Sequence, residues 1–216
     1  MITDYRLPLI VIGSGGHGKV LIEALKEYQC EIVGIVDPQE VLGSKVLGVE
    51  VIGDDLAVFN FNPVDVELIC GIGTVPGNTI RTRILGNFLK HGYSFATVID
   101  KGAIVKSSCL LEKGVQIMSR AVIQTNAVIQ RNVIINTGSI VEHDSVVGEN
   151  SHIATGSMIC GGVTIGKNTH ICAGSVISHG VAIGDNCVIG AGSVVYRDVA
   201  DNTKYIQKRD LCISKA

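Results

Sequence analysis

From Val105 onward every sixth residue is aliphatic, with no interruption or insertion: Val105, Leu111, Ile117, Ile123, Ile129, Ile135, Val141, Val147, Ile153, Ile159, Ile165, Ile171, Ile177, Ile183, Ile189 and Val195. Sixteen consecutive matches to a period of six belong neither to an α-helix nor to an isolated strand, and mark a stacked repeat. Four residues after each aliphatic position the side chain is small, from Cys109 and Ala121 through Ser139, Ser157 and Thr169 to Val199, so both positions face a narrow interior. Three residues after it stands Gly or Asn in twelve of the sixteen repeats, among them Gly114, Asn126, Asn132, Gly138, Asn150 and Gly156, residues that accept a left-handed backbone. A short strand followed by such a corner, every six residues, describes a three-sided solenoid with eighteen residues per coil and about five coils. One coil alone cannot cover its aliphatic side, so stability has to come from stacking and from ladder hydrogen bonds between coils.

The rest of the composition narrows the class. In 216 residues, 46% hydrophobic and 18% charged, there is enough apolar material for two small packed domains. Basic residues number 18 against 20 acidic ones, with no basic stripe carrying aromatics, which argues against a nucleic-acid partner. The cysteines (Cys30, Cys70, Cys109, Cys160, Cys172, Cys187 and Cys212) are odd in number and form no C-x-x-C pair, so a reducing cytoplasm fits better than a disulfide framework or a zinc ribbon. The opening stretch from Met1 to Pro8 lacks a leader's apolar run, and no later stretch reaches the length of a membrane span.

The first half has a different grammar. Leu7 to Ile12 reads as an apolar strand, Gly13-Ser14-Gly15-Gly16-His17-Gly18 as a turn, and Lys19 to Tyr28 as a helix. A second strand, Glu31 to Val36, ends at Asp37. A third, Val66 to Ile72, precedes a helix from Asn78 to His91, and Phe95 to Ile99 reads as a connecting strand. The division expected is an α/β, Rossmann-like domain over residues 1–91, a connector over 92–103, a β-helix over 104–200 and a tail over 201–216. Gly13, Gly15 and Gly18 satisfy G-x-G-x-x-G, with Asp37 nineteen residues beyond, so a phosphate at the helix start is the natural guest of Ser14, Gly15, Gly16 and His17, and Asp37 is placed to bind ribose or base. The plainer reading is a tight strand-to-helix turn, with His17 capping the helix and Asp37 ending a strand. About ninety residues are too few for both halves of a full dinucleotide fold, which favours a single nucleotide over NAD.

Four histidines fall in the repeat. His152 and His170 are eighteen apart and stack at one position, while His143 and His179 share another with Gly161 between them. A glycine one coil from His143 leaves a notch for a thioester beside an imidazole, with a backbone N–H for a developing oxyanion. Asp144 follows His143 at a corner where most repeats carry Gly or Asn, and reads either as a carboxylate orienting His143 or as a turn residue. Stacked histidines could also hold zinc, although an H-x₄-H pair is missing. Cys160, beside Gly161, is a weaker nucleophile candidate because no base adjoins it.

The repeat resembles that of the hexapeptide-repeat acyltransferases. The whole chain is similar to the sugar acetyltransferases of the sialic acid O-acetyltransferase and bacillosamine N-acetyltransferase family, through Gly13 to Gly18, Asn136-Thr137-Gly138-Ser139-Ile140-Val141-Glu142-His143-Asp144, and Ser151-His152. The resemblance implies a left-handed parallel β-helix, an exception to the usual crossover hand. It further implies a homotrimer with acetyl-CoA between neighbouring helices and a nucleotide-linked amino sugar held by the first domain. His143 is implied as general base with Asp144 beside it, while Asn136, His152 and Gly161 surround the amine and acetyl group. Such chains usually close with a V-x-G-x-P-A-like segment, where this one has Tyr205-Ile206-Gln207-Lys208-Arg209-Asp210-Leu211. The activity expected is metal-free transfer of acetyl from acetyl-CoA to an amine at C4 of the sugar. A sugar O-acetyltransferase and a non-catalytic nucleotide-binding trimeric scaffold are the alternatives.

Overall fold

A computed structural model describes residues 5–77 and 79–207. Cys212, the Lys208 to Leu211 part of the closing segment, Asn78 at the expected helix start, and Met1 to Asp4 lie outside these described residues. Strand β1 (Leu9–Ile12) is buried at every position, as a strand covered on both faces requires. Helix α1 (Gly16–Lys26) starts inside the glycine motif rather than at Lys19 and ends before Tyr28. Close packing explains the early start: a Cβ on Gly18 would collide with the Gly13 carbonyl, so only glycine lets this helix leave the strand so tightly. Strands β2 (Ile32–Val36), β3 (Lys45–Val46), β4 (Val49–Gly53) and β5 (Glu67–Cys70) complete a sheet of order β3-β4-β2-β1-β5. It is parallel except for the β3–β4 hairpin. The hairpin, absent from the sequence reading, turns on Leu47 and Gly48, both at positive φ. Helix α2 (Ile80–Lys90) follows β5.

The repeat folds into three parallel sheets of six, five and seven short strands. The first face begins with Ile104–Val105, the second with Leu110–Leu111 and the third with Val98–Ile99. Neighbouring strands are offset by one coil, as in Ile104 with Val122 and His152 with His170. The corners adopt the backbone their residues favour: Asn126, Asn150 and Gly138 have φ near 60°, and so do Arg120 and Asp144. Interior aliphatics such as Ile135, Val141, Ile153 and Ile159 are fully buried, each contributing roughly 1.5–3 kcal/mol. The small inward residues also bond. Ser145 Oγ donates to the Cys160 carbonyl at 2.9 Å and accepts the Val163 N–H at 3.2 Å. Ser151 does the same with Gly166 at 2.7 Å and Thr169 at 2.8 Å, so the hydroxyls stitch one coil to the next.

Val98–Ile99, read from sequence as part of a connector, is the first strand of the third face. Just before it, Phe95 bridges to Leu68 of β5, with Leu68 N–H to the Ser94 carbonyl at 2.9 Å. The first domain's sheet thus runs directly into the β-helix, and Met118, Ala96 and Val98 share its core with Leu21 and Ile22. The third face is therefore the one covered by the first domain.

Candidate active site

His143 and Asp144 occupy the turn from the first face to the second, after Ile140–Val141 and before Val146–Val147. His143 Nδ1 and Asp144 Oδ2 are 2.8 Å apart, with both side chains more than half exposed (55% and 59%). Asn126, one coil below, donates to Asp144 Oδ1 at 3.3 Å. The hydrogen bond from His143, seconded by that of Asn126, holds the Asp144 carboxyl below its usual value. An ionised carboxylate can only accept, so His143 Nδ1 carries a proton, and in the neutral ring the lone pair is on Nε2. Gly161 lies one coil above. A Cβ there would stand 2.6 Å from His143 Nε2 and 2.7 Å from Cε1. The glycine notch expected to receive a thioester is thus occupied by the edge of the imidazole itself. Gly161 is needed to leave room for the ring at the corner. The Gly162 N–H bonds the His143 carbonyl at 2.9 Å, and the His179 ring is 6.4 Å from that of His143.

Asn136 and His152 sit elsewhere. Asn136 follows Ile134–Ile135 at the corner from the third face to the first, and His152 opens a strand of the third face. Their side chains meet, Asn136 Nδ2 lying 3.2 Å from His152 Nε2. His152 is only 7% exposed and packs edge-on against His170, with ring centroids 4.7 Å apart. Thr74, on the loop after β5, hydrogen-bonds Nδ1 of His152 and lies 3.3 Å from Nδ1 of His170. Burial, with the charges of His170, His17 and Arg81, pushes the His152 imidazole far below its usual value, and burial also lowers His170. Next to them a cavity of about 570 Å³ opens between the 74–77 loop, the start of α2 and the third face, lined by Pro76, Arg83, Asn168, His170 and Val188.

At the glycine turn, Gly15 and Gly16 have open space where a Cβ would stand, whereas Gly18 and Gly71 press against the Gly13 carbonyl. The motif thus divides into packing glycines and exposed ones. The N-cap Gly15 makes no side-chain cap, so the first N–H groups of α1 face an open surface. Ser14 is buried, and its N–H and hydroxyl both donate to Asp37 Oδ2, at 2.8 and 2.6 Å. Burial would raise the Asp37 carboxyl, yet the bonds from Ser14 and Gln39 outweigh it and hold it below its usual value. Asp37 thereby ties β2 to the glycine turn. His17 points the other way: its Nε2 meets Gln116 Oε1 of the third face at 2.8 Å. Burial lowers it to about 4, against the favourable Gln116 bond and with the help of the Arg81 charge. Instead of capping the helix start, His17 docks the first domain on the β-helix.

Like Thr74, two further residues of this junction escaped the sequence reading. Arg81 is 2% exposed and donates to the carbonyls of Cys70 (3.0 Å) and Ile72 (2.5 Å), to Gln116 Oε1 (3.3 Å) and to the Asn132 carbonyl (3.4 Å). Its Nε has no partner among the described residues. Gln116 donates back to the Cys70 carbonyl at 2.9 Å. A polar residue at an outward position of the third face was the only signal, and its partners come from the other domain. The six described cysteines are free thiols. Among the described residues no group of three or more His, Cys, Asp or Glu could hold a metal ion, and no helix is long and apolar enough to cross a membrane.

Within one protomer these parts do not converge. His143, Asp144 and Gly161 share one edge of the prism. The glycine turn, Asn136 and His152 gather at the third face, which lies opposite that edge.

Residues 8–88 match the model of the PglD N-terminal domain, and residues 144–179 and 162–197 match the bacterial transferase hexapeptide model of six repeats. A His-to-Asn variant of perosamine N-acetyltransferase from Caulobacter crescentus, in complex with CoA and GDP-perosamine, is 33% identical, with 94% of this chain and 95% of that one covered and a TM-score of 0.84. The acetyltransferase domain of PglB from Neisseria gonorrhoeae, in complex with acetyl coenzyme A, is 32% identical, with 93% and 96% covered and a TM-score of 0.82. WeeI from Acinetobacter baumannii shares the fold at 16% identity, with 92% and 96% covered and a TM-score of 0.59. A search of curated proteins found no match. With a PglD-type first domain, a left-handed β-helix of hexapeptide repeats and one-third identity along nearly the full length of a solved sugar N-acetyltransferase, the chain belongs to the hexapeptide-repeat amino-sugar acetyltransferases and is an acetyltransferase.

Proposed function

We propose that the protein moves the acetyl group of acetyl-CoA to the C4 amine of a nucleotide-linked amino sugar, as a homotrimer in the cytoplasm. The open N–H groups at Gly15 and Gly16 take the pyrophosphate, beside Ser14 and Asp37, and the sugar extends along the third face towards Asn136 and His152. His143 of a neighbouring protomer meets the amine there. Its Nε2 accepts the amine proton as the nitrogen attacks the thioester carbonyl, and Asp144 stabilises the imidazolium through Nδ1–H. The C–N bond forms, the C–S bond breaks, and the proton passes on to the departing thiolate. The Gly161 N–H meets the oxyanion, and acetyl-CoA lies between the two β-helices, along the Gly161 backbone and His152.

The observation that carries this reading is the 2.8 Å His143–Asp144 pair on an exposed edge, its ring seated over a glycine. An acceptor amine over a hydroxyl is favoured by the perosamine N-acetyltransferase, whose structure holds CoA and a GDP-linked amino sugar. The test is release of free thiol from acetyl-CoA with UDP-, GDP- and dTDP-linked 4-amino sugars, alongside hydroxyl acceptors. Turnover with an amine acceptor, lost by about 10²–10⁴-fold in His143→Ala, is the expected result. Full turnover in that variant removes the proposed base, and no thiol release with any acceptor leaves the scaffold reading.

A further inference from the structure

The loop after β5 crosses from the first domain to the β-helix and sets one hydroxyl, that of Thr74, between two imidazoles. The proton order along this chain of hydrogen bonds follows from its far end. Asn136 Oδ1 accepts the Thr137 N–H at 2.8 Å, which turns the amide nitrogen towards His152 Nε2. An amide nitrogen only donates, so His152 Nε2 accepts. Buried and neutral, the ring carries its one proton on Nδ1 and donates it to Thr74 Oγ1. The Thr74 hydroxyl keeps its own proton for His170 Nδ1.

We propose that Thr74 is a positioning residue for acetyl transfer, fixing His152 as the Nδ1–H tautomer so that its Nε2 presents a lone pair to Asn136 and to bound substrate. That role rests on the reaction proposed above; the tautomer does not. In this state His152 accepts an N–H and cannot donate to the acetyl carbonyl, which leaves oxyanion stabilisation to backbone groups. The other tautomer would set an N–H against the Asn136 amide protons. Without the Thr74 hydroxyl, a buried Nδ1–H loses its acceptor, and the two tautomers approach each other in energy.

The experiment compares full-length wild type, Thr74→Val, which keeps the side chain's shape, and Thr74→Ser, which keeps the hydroxyl. Long-range ¹H–¹⁵N correlation on ¹⁵N-histidine-labelled protein reads each tautomer, with His152 assigned by its loss in His152→Gln. Wild type and Thr74→Ser should show His152 protonated at Nδ1, and Thr74→Val a mixture or the Nε2–H form. At saturating acetyl-CoA, kcat should fall about three- to tenfold in Thr74→Val and stay near wild type in Thr74→Ser. An Nε2–H tautomer in wild type, an unchanged tautomer in Thr74→Val, or a changed tautomer with unchanged kcat each overturns the proposal. A wild type that transfers no acetyl group refutes the reaction, and with it the positioning role, while the tautomer assignment still stands or falls on its own spectrum.

Discussion

Replacing Gly161 by alanine puts a methyl group where the His143 ring now lies. The new Cβ would stand 2.6 Å from Nε2 and 2.7 Å from Cε1, and ordinary contact begins at 3.4 Å, so the ring has to retreat by about 1 Å. The ring has room to do so, because His143 is 55% exposed. Gly161 is not among the residues at positive φ, so alanine carries no backbone strain and folding stability should stay level or rise by up to about 1 kcal/mol. Activity should not survive so well: a 1 Å misplacement of a reacting group costs roughly 10²-fold, about 2.7 kcal/mol of transition-state stabilisation. The neighbouring residue supplies the control. Gly162 sits at φ 67°, where alanine costs roughly 1–2 kcal/mol of stability, yet its Cβ would touch nothing nearer than His179 Cε1 at 3.8 Å. Gly161→Ala should therefore lose kcat and keep its thermal midpoint, and Gly162→Ala should do the reverse. Thiol release and thermal unfolding on the two proteins decide it. Full turnover in Gly161→Ala would refute the placement of the base at this corner.

Asp144→Asn keeps a residue that tolerates the left-handed backbone but removes the charge facing His143; kcat should drop roughly tenfold or more with no change in melting, and undiminished kcat would make Asp144 a turn residue only. If active sites form between protomers, refolding equal amounts of His143→Ala and Asn136→Ala together should restore about a quarter of the wild-type sites, since each intact site draws one half from each variant; no recovery points to sites confined to one chain. The junction should weaken in acid. His17 binds its proton near pH 6.5 when unfolded but only near 4 when folded, so the unfolded state holds more protons between those values and stability falls as pH drops through them. The His17 contribution is at most about 3 kcal/mol, read from urea unfolding at pH 7, 6 and 5, and His17→Asn should flatten the slope.

The repeat made one half of the site legible because its arithmetic is rigid. Residues eighteen apart are ladder partners, so His143, Gly161 and His179 had to stack, and His152 had to face His170. No such arithmetic links the two domains. Arg81 reaches Gln116, and Thr74 reaches His152, only because β5 is bridged to Phe95 and the third face receives α1, a docking written in no period. The glycine motif was ambiguous for a related reason. Its spacing is the same whether a glycine packs, as Gly18 does against Gly13, or stands open, as Gly15 and Gly16 do, and only the space around each separates them.

The separation of the two halves follows from the architecture itself. A coil of a three-sided β-helix offers three corners and three faces, and ladder bonds above and below fix each one, so a residue on one edge cannot swing round to the opposite face. The third face is taken up by the first domain through His17, Gln116 and Arg81, which puts any nucleotide at the glycine turn on that side. His143 is on the edge across from it, exposed, its carboxylate partner in place and its ring against Gly161. On the proposed mechanism, a single bound amine lies near His152 of one chain and His143 of another copy. If the proposed mechanism holds, assembly is a condition of the chemistry, and diluting the protein below its association range should abolish turnover while each protomer's His143–Asp144 pair stays intact.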